Sequence, residues 1–282
     1  MSRVAVVLPT YNRAPLLARA VRSVLQQTFS DWELWIIDDG STDDTRAVVK
    51  PFLSDPRVFY RYQENGGVSR ARNHAMLATS APYVAFLDSD DEWKPEKLAR
   101  QVQFFDVNPG LRLVHCEETW IRGGVEIKPL KKHAKAGGGR VFLRCLPLCC
   151  ISPSTTMMAT ALARSLGGFR EDFPVCEDYD LWLKISAQED VGFISEPMIL
   201  KYGGHEDQLS LRRGLDEYRA RALWDLRIHP LLSSSERDAL LDEFERKRQI
   251  LIKGFEKHGH QEKASYWRNH FSQISLSQMG QI

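Results

Sequence analysis

No stretch of this sequence reaches the ~18 consecutive apolar residues that a helix needs to cross a bilayer, so peripheral contact is the only membrane role to expect. The opening run MSRVAVVLPTYNR is too short for a secretory apolar core and passes straight into turn and helix signals, so it reads as a strand. Cysteine is sparse. Cys116, Cys145, Cys149, Cys150 and Cys176 are an odd set of five without a leader, which argues against a disulfide framework and for a reduced, cytoplasmic setting. No His or Cys pair at zinc spacing completes the group Cys145, Cys149 and Cys150, which reads as a small buried apolar cluster. Neither sign of charge is in excess. With 38 Lys and Arg against 37 Asp and Glu, nothing draws the whole chain to nucleic acid or anionic lipid. Internal repeats and low-complexity tracts are missing, and no G-x-G-x-x-G follows the first apolar run, which excludes solenoids and nicotinamide dehydrogenases.

What is present is alternation. At 282 residues the chain can hold one core plus an appendage, since single cores stop growing near ~250 to 300 residues. Arg3 to Leu8 is apolar and β-branched, as in a strand covered on both faces. Leu16, Leu17, Ala20, Val21, Val24 and Leu25 recur at helical spacing behind Pro15. The unit repeats: strand Glu33 to Ile37 with a helix from Thr42 toward Phe52, strand Val58 to Tyr62 with a helix through Val68, Ala71, Ala75 and Met76, and strand Tyr83 to Leu87. Strands alternating with helices predict a mostly parallel sheet with ligands at the carboxyl ends of the strands. Beyond Pro109 the pattern weakens. Strands are expected at Leu111 to Cys116, Ser154 to Ala159 and Val191 to Tyr202, and a helix at Leu181 to Ile185 after an acidic turn, Glu177-Asp178. Ile127 to Gly139, rich in Lys and Gly, reads as a mobile loop. From Gly214 onward the pattern is helical, with breaks at Pro230 and Gly259.

The polar clusters sit at the strand ends. Asp88-Ser89-Asp90 follows the strand YVAFL, where two carboxylates can reach one hard cation, Mg²⁺ or Mn²⁺, whose shell a diphosphate completes. A bare D-x-D in a solvated turn is common, so the triplet alone carries little weight. Asp39 can accept from a ring imide N–H such as that of uracil, or one of the pair Asp38 and Asp39 can simply shape the turn and cap the next helix. Gly66-Gly67 opens a helix whose free amides, with Arg70 or Arg72, suit a pyrophosphate. Asp178 reads either as a helix cap or as a general base that deprotonates an acceptor hydroxyl. His205 offers a neutral nitrogen to a metal, although a lone loop His is usually a surface residue. Trp93, Glu177 and Trp182 flank the acidic motifs and are candidate acceptor contacts; the commoner place for such tryptophans is the core.

The order LPTYNR, QTFSDWELWIIDDGSTDDT, NGGVSRARN, AFLDSDDEWKPEKL, GGFREDF, CEDYDLWLK closely resembles inverting glycosyltransferase family 2, over residues 3 to 210. That resemblance implies an α/β fold of GT-A type, a mostly parallel central sheet flanked by helices, with a C-terminal helical appendage. It implies a domain at 1–210, donor half 1–110 and acceptor half 111–210, and an extension at 211–282. It further implies transfer, with inversion, from a nucleotide sugar, a UDP-sugar first, to a glycan, lipid-linked or small-molecule acceptor hydroxyl in bacterial cell-envelope polysaccharide synthesis. Pro9, Thr10, Tyr11, Asp39, Arg70, Asp88, Ser89 and Asp90 would face the donor, Asp88, Asp90 and His205 the Mn²⁺ or Mg²⁺, and Asp178 would be the catalytic base. The alternatives are a non-catalytic nucleotide-sugar-binding module and a phosphatase whose D-x-D supplies a nucleophile. Basic residues at Arg246, Lys247 and Arg248 read either as a docking patch for a membrane or partner or as a solvated helix face.

Overall fold

Six successive apolar residues before Thr10 form β1 (Val4–Thr10), and every residue of it is buried. A strand with no polar face must be covered on both sides, and the sequence supplies the covering helices. The computed structural model describes residues 2–204, 208, 212 and 214–271. The chain divides into two compact units, Met1–Leu211 and Arg212–Ile282.

In the first unit β1 is followed by α1 (Ala14–Leu25), β2 (Trp32–Asp38), α2 (Thr45–Val49), β3 (Val58–Tyr62), α3 (Val68–Ala78), β4 (Tyr83–Phe86), β5 (Glu92–Trp93), α4 (Lys97–Val107), β6 (Leu113–Arg122), β7 (Val125–Ile127), α5 (Phe142–Cys145), β8 (Met157–Ala159), α6 (Thr160–Ser165), α7 (Glu177–Ser186) and β9 (Gly192–Gly203). One sheet takes the order β3-β2-β1-β4-β8-β6-β9-β5, with β7 beside β6. The first four strands are parallel to one another. β8 is antiparallel to both β4 and β6, and β6 is parallel to β9. Hence β1, β2, β4, β6 and β9 all bring their carboxyl ends to one edge, and the 3-10 turn Pro153–Thr155 ahead of β8 starts there too. A surface recess of about 620 Å³ lined by Asn108 to Leu111, Arg140 and Gln188 to Asp190 lies at the other edge, beside the starts of β6 and β9.

Three expectations change. The helix predicted from Thr42 is shorter, Thr45–Val49, and passes into a 3-10 turn at Lys50–Ser54, because Pro51 has no amide to donate. Glu177-Asp178 is not a turn ahead of a helix but the first turn of α7 itself, where carboxylates meet the helix dipole favourably. The Lys- and Gly-rich segment expected to be mobile is anchored at its end, from Lys135 to Gly139. Lys135 pairs with Glu118 at 2.8 Å and donates to Ser152 Oγ at 2.8 Å, His115 Nε2 contacts the Gly137 carbonyl at 2.9 Å, and Gly139 pairs with Val191 through both backbone bonds.

The second unit holds α8 (Leu215–Leu226), α9 (Ser234–Lys257) and α10 (Gln261–Asn269). Ser233 and Glu236 form a reciprocal capping box at the start of α9, and Leu223, Leu240, Phe244, Ala264 and Trp267 are buried. The basic run is spent inside this unit: Arg246 pairs with Glu243, Lys247 is buried between Asp216 and Glu243, and Arg248 pairs with Glu245. Lys247 is thereby withdrawn from the surface, while Arg246 remains exposed.

Candidate active site

The carboxyl ends of β1 and β2 are sewn together. The Asp39 amide donates to the Thr10 carbonyl at 2.9 Å, the Asn12 amide to Ser41 Oγ at 2.9 Å, and the Thr42 amide to Asn12 Oδ1 at 2.8 Å. Gly40, at φ 87, makes the turn that follows β2, and a Cβ there would lie 2.8 Å from the Asn65 amide nitrogen, so only glycine fits. Asp38 is buried and accepts from the Ser41 amide and the Tyr60 hydroxyl. Asp39 accepts from Gln63 Nε2 at 2.7 Å and from the amides of Gly66 and Gly67 at 3.0 and 2.8 Å. Both members of the pair thus shape turns. Three of the roughly four lone-pair sites of Asp39 are taken, which leaves about one for a ligand. Thr10 is 3 % exposed and its hydroxyl has no hydrogen-bond partner among the described residues, whereas Tyr11 and Arg70 are exposed.

The D-x-D turn follows β4. Arg13 donates to Asp90 Oδ2 at 2.9 Å, and Arg19 to the Asp90 carbonyl at 2.6 Å. Ser154 stands beneath the turn. Its Oγ accepts from the Asp88 amide at 3.1 Å and donates to Asp91 Oδ2 at 2.6 Å. Trp93, Gln101 and Lys97 hold the carbonyls of Ser154, Thr155 and Thr156, so the support is rigid on its inner side. Burial, reinforced by the charges of Asp90 and Asp88, raises Asp91 well above the ordinary carboxylate range. Ser89 is buried and Asp88 partly exposed.

Arg72 joins this turn to α7. Its guanidinium, 4 % exposed, donates to Asp88 Oδ1 and to Glu177 Oε1, each at 2.7 Å. Burial and the neighbouring Asp178 push Glu177 up to about 7, against the pull of Arg72. Asp178, next along α7, is partly exposed; its Oδ1 accepts from the Tyr179 amide at 2.7 Å and its Oδ2 from the Cys149 thiol at 3.3 Å. At the same edge Glu118 pairs with Lys135 and lies 3.7 Å from Lys201, and Trp120 on the same face of β6 stacks at a tilt on His133. Burial alone would raise Glu118, but Lys201 and Lys135 hold it down to about 2.

The arrangement brings Thr10, Asp39, Asp88, Ser89, Asp90, Glu177 and Asp178 to one edge. Trp93 and Trp182 are each 2 % exposed, so neither offers a ring face to a sugar; Trp93 donates to the Ser154 carbonyl and Trp182 packs edge-on to Phe169. Glu177 is likewise an inner partner of Arg72 rather than a surface for an acceptor. His205 lies outside the described residues. Among the described residues no group of three or more His, Cys, Asp or Glu could hold an ion unaided. The all-oxygen pair Asp88 and Asp90 still fits a hard divalent cation that takes the rest of its shell from phosphate and water. Sequence reading placed Cys149 in an apolar cluster and passed over Glu118, Lys135, Ser154 and Lys201, because their meeting depends on contacts between segments far apart in the chain.

Residues 5–139 match the family described as Glycosyl transferase family 2. An uncharacterized glycosyltransferase of Rickettsia bellii is 33% identical over 198 residues, 70% of this chain and 28% of that protein. A putative teichuronic acid biosynthesis glycosyltransferase, TuaG, of Bacillus subtilis is 44% identical over 103 residues, 36% of this chain and 41% of its own. The chain spans 28% and 32% of the first curated relatives it matches. In structure it is similar to S. aureus TarS in complex with UDP-GlcNAc, TM-score 0.73 at 21% identity over 90% of this chain and 75% of that one. A mannosyltransferase from Pyrobaculum calidifontis in complex with GDP-Man and Mn²⁺ gives a TM-score of 0.58 at 19% identity, over 89% and 75% of the two chains. These likenesses are of fold, and the fold is the GT-A arrangement.

Proposed function

Since residues 5–139 match the family described as Glycosyl transferase family 2, we propose that the chain moves a sugar from a nucleoside diphosphate donor, UDP-linked first, to an acceptor hydroxyl. The observation that carries this reading is the Arg72 bridge, which ties the D-x-D turn to the acidic start of α7, with Glu177 lying 105 positions beyond Arg72 in sequence. The acceptor is a glycan, lipid-linked or small molecule in cell-envelope polysaccharide synthesis; a relative named for teichuronic acid biosynthesis and a fold neighbour bound to UDP-GlcNAc support that setting and donor.

In this reading Pro9, Thr10, Tyr11 and Asp39 receive the nucleoside, with Arg70 and the α3 amides at the diphosphate. Asp88 and Asp90 would hold a divalent cation, Mn²⁺ or Mg²⁺, with His205 as a further ligand. A cation bound there supplies charge to the leaving diphosphate. Asp178 takes the proton of the acceptor hydroxyl as the acceptor oxygen bonds to the anomeric carbon, and the bond from that carbon to the diphosphate oxygen breaks with its electron pair leaving on the diphosphate. One displacement from the opposite face inverts the centre.

The test is thermal stabilisation and donor hydrolysis for wild type and Asp90→Ala against UDP-, GDP- and dTDP-sugars, with Mn²⁺, Mg²⁺ or chelator. A matching donor at 100 times its Kd should add about 2.7 kcal/mol of stability, require metal, and lose the effect in Asp90→Ala. Stabilisation without hydrolysis or transfer would make the chain a binding module. No stabilisation by any nucleotide sugar would end the reading.

A further inference from the structure

Cys149 lies on the segment after α5, among the apolar residues Leu146, Pro147, Leu148, Cys150 and Ile151, where sequence suggests only packing. In the fold its Sγ is 3.3 Å from Asp178 Oδ2 and 3.2 Å from the Ile151 carbonyl oxygen. A thiol has one proton, so it serves one of these acceptors at a time. The charged carboxylate is the stronger acceptor. With Asp178 ionised the S–H points to it; once Asp178 is protonated, the Ile151 carbonyl takes the thiol proton and no two donors face each other.

We propose that Cys149 is a positioning residue for Asp178, its thiol holding the carboxylate ready in the ionised state and turning to Ile151 when Asp178 has accepted a proton. The inference rests on the reading of Asp178 as general base. The segment that carries the thiol is fixed to α7 independently. Tyr179, next to Asp178, donates its hydroxyl to the Leu146 carbonyl at 2.5 Å, the Ala136 amide donates to the Cys150 carbonyl, and the buried Cys145 and Cys150 sulfurs lie 3.4 Å apart. Burial, then the charge of Asp178, puts the Cys149 thiol well above its ordinary range, so it remains a donor at neutral pH. The other charged groups around the pair are Glu177 on α7, Arg72 on α3, which neutralises Glu177, and Lys201 on β9, whose ammonium interacts with Cys149.

Two measurements on the full chain test the proposal. The first needs no turnover: iodoacetamide labelling of Cys149, followed peptide by peptide between pH 7 and 10, in wild type and Asp178→Asn. Removing the carboxylate charge should raise the rate at pH 8 about three- to tenfold, while the fully buried Cys116 stays protected in both proteins as the control for folding. Equal rates would overturn the coupling. The second is the pH profile of donor hydrolysis or transfer for Cys149→Ala and Cys149→Ser. The alanine variant should be about five- to tenfold slower in kcat across the profile, with donor KM unchanged and serine restoring the rate. Superimposable profiles would overturn the positioning role even where labelling shows the pair. If no variant and no wild type turns over any donor, it is the transferase reading that falls, and the labelling arm still decides whether thiol and carboxylate are coupled.

Discussion

Arg72 commits a buried cation to two carboxylates, one in the turn after β4 and one in the first turn of α7. Removing it leaves Glu177 buried beside Asp178 with no countercharge. Arg72→Met should therefore cost roughly 3 to 5 kcal/mol of unfolding free energy in urea, and Arg72→Lys should rescue only part of it, because one ammonium cannot reproduce the planar fork. Adding Glu177→Leu to the methionine variant should recover much of the loss, since an apolar pair replaces an ion pair. At this scale the sequence was legible where residues act beside their own strand end: Asp88, Asp90 and Asp39 stand at strand ends as expected. It was not legible where partners are far apart in the chain. Spacing could not choose between Arg70 and Arg72, and only folding shows Arg70 exposed while Arg72 is enclosed. Trp93 and Trp182 lie near acidic motifs in sequence but turn inward because each ring has more apolar area to bury than the edge can cover.

Among elements, α7 begins in an unusual way. Cys176, just before it, has φ 62, one of two positive-φ residues other than glycine among the described residues. The left-handed region costs an ordinary side chain on the order of 1 kcal/mol or more, and here it directs Glu177 and Asp178 toward Arg72 and Cys149. Cys176→Gly should keep or raise stability by up to about 1 kcal/mol, whereas Cys176→Val, β-branched, should lower it by about 1 to 3 kcal/mol; urea midpoints of the two variants check both signs. The strands β1 to β4 and helices α1 and α3 were readable because long apolar periods leave no second interpretation. β5, of two residues, and β7, of three, were not, since so short a strand has no period and exists only through its partners, β9 and β6. The anchoring of the end of the Lys-rich segment was hidden for the same reason: Glu118 and Ser152 hold it, and neither is its neighbour in sequence.

For the whole molecule, the buried titratable groups set how stability follows pH. Lys97 is fully buried, with its ammonium 3.5 Å over the Trp93 ring and a bond to the Thr156 carbonyl. Burial lowers it from 10.5 to about 7. Between those values the folded chain holds fewer protons than the unfolded one, so this group adds stability as pH rises from 7 and takes it away as pH falls back. Lys97→Met should flatten the rise between pH 7 and 9 by about 1.4 kcal/mol for each unit, read as the difference between urea unfolding curves of the two proteins. His115 acts in the same direction lower down, since burial holds it at about 4 and its contribution is lost as pH falls from 6.5. The strand order has one more consequence. The stretch matched to the family ends at residue 139, yet β8, which fills the place between β4 and β6, begins at Met157. A chain cut at that boundary would leave β4 with an open edge of unpaired amides and carbonyls, a template for another copy to pair with. Homology marks where the sequence is recognisable, and the sheet marks where it can safely be divided.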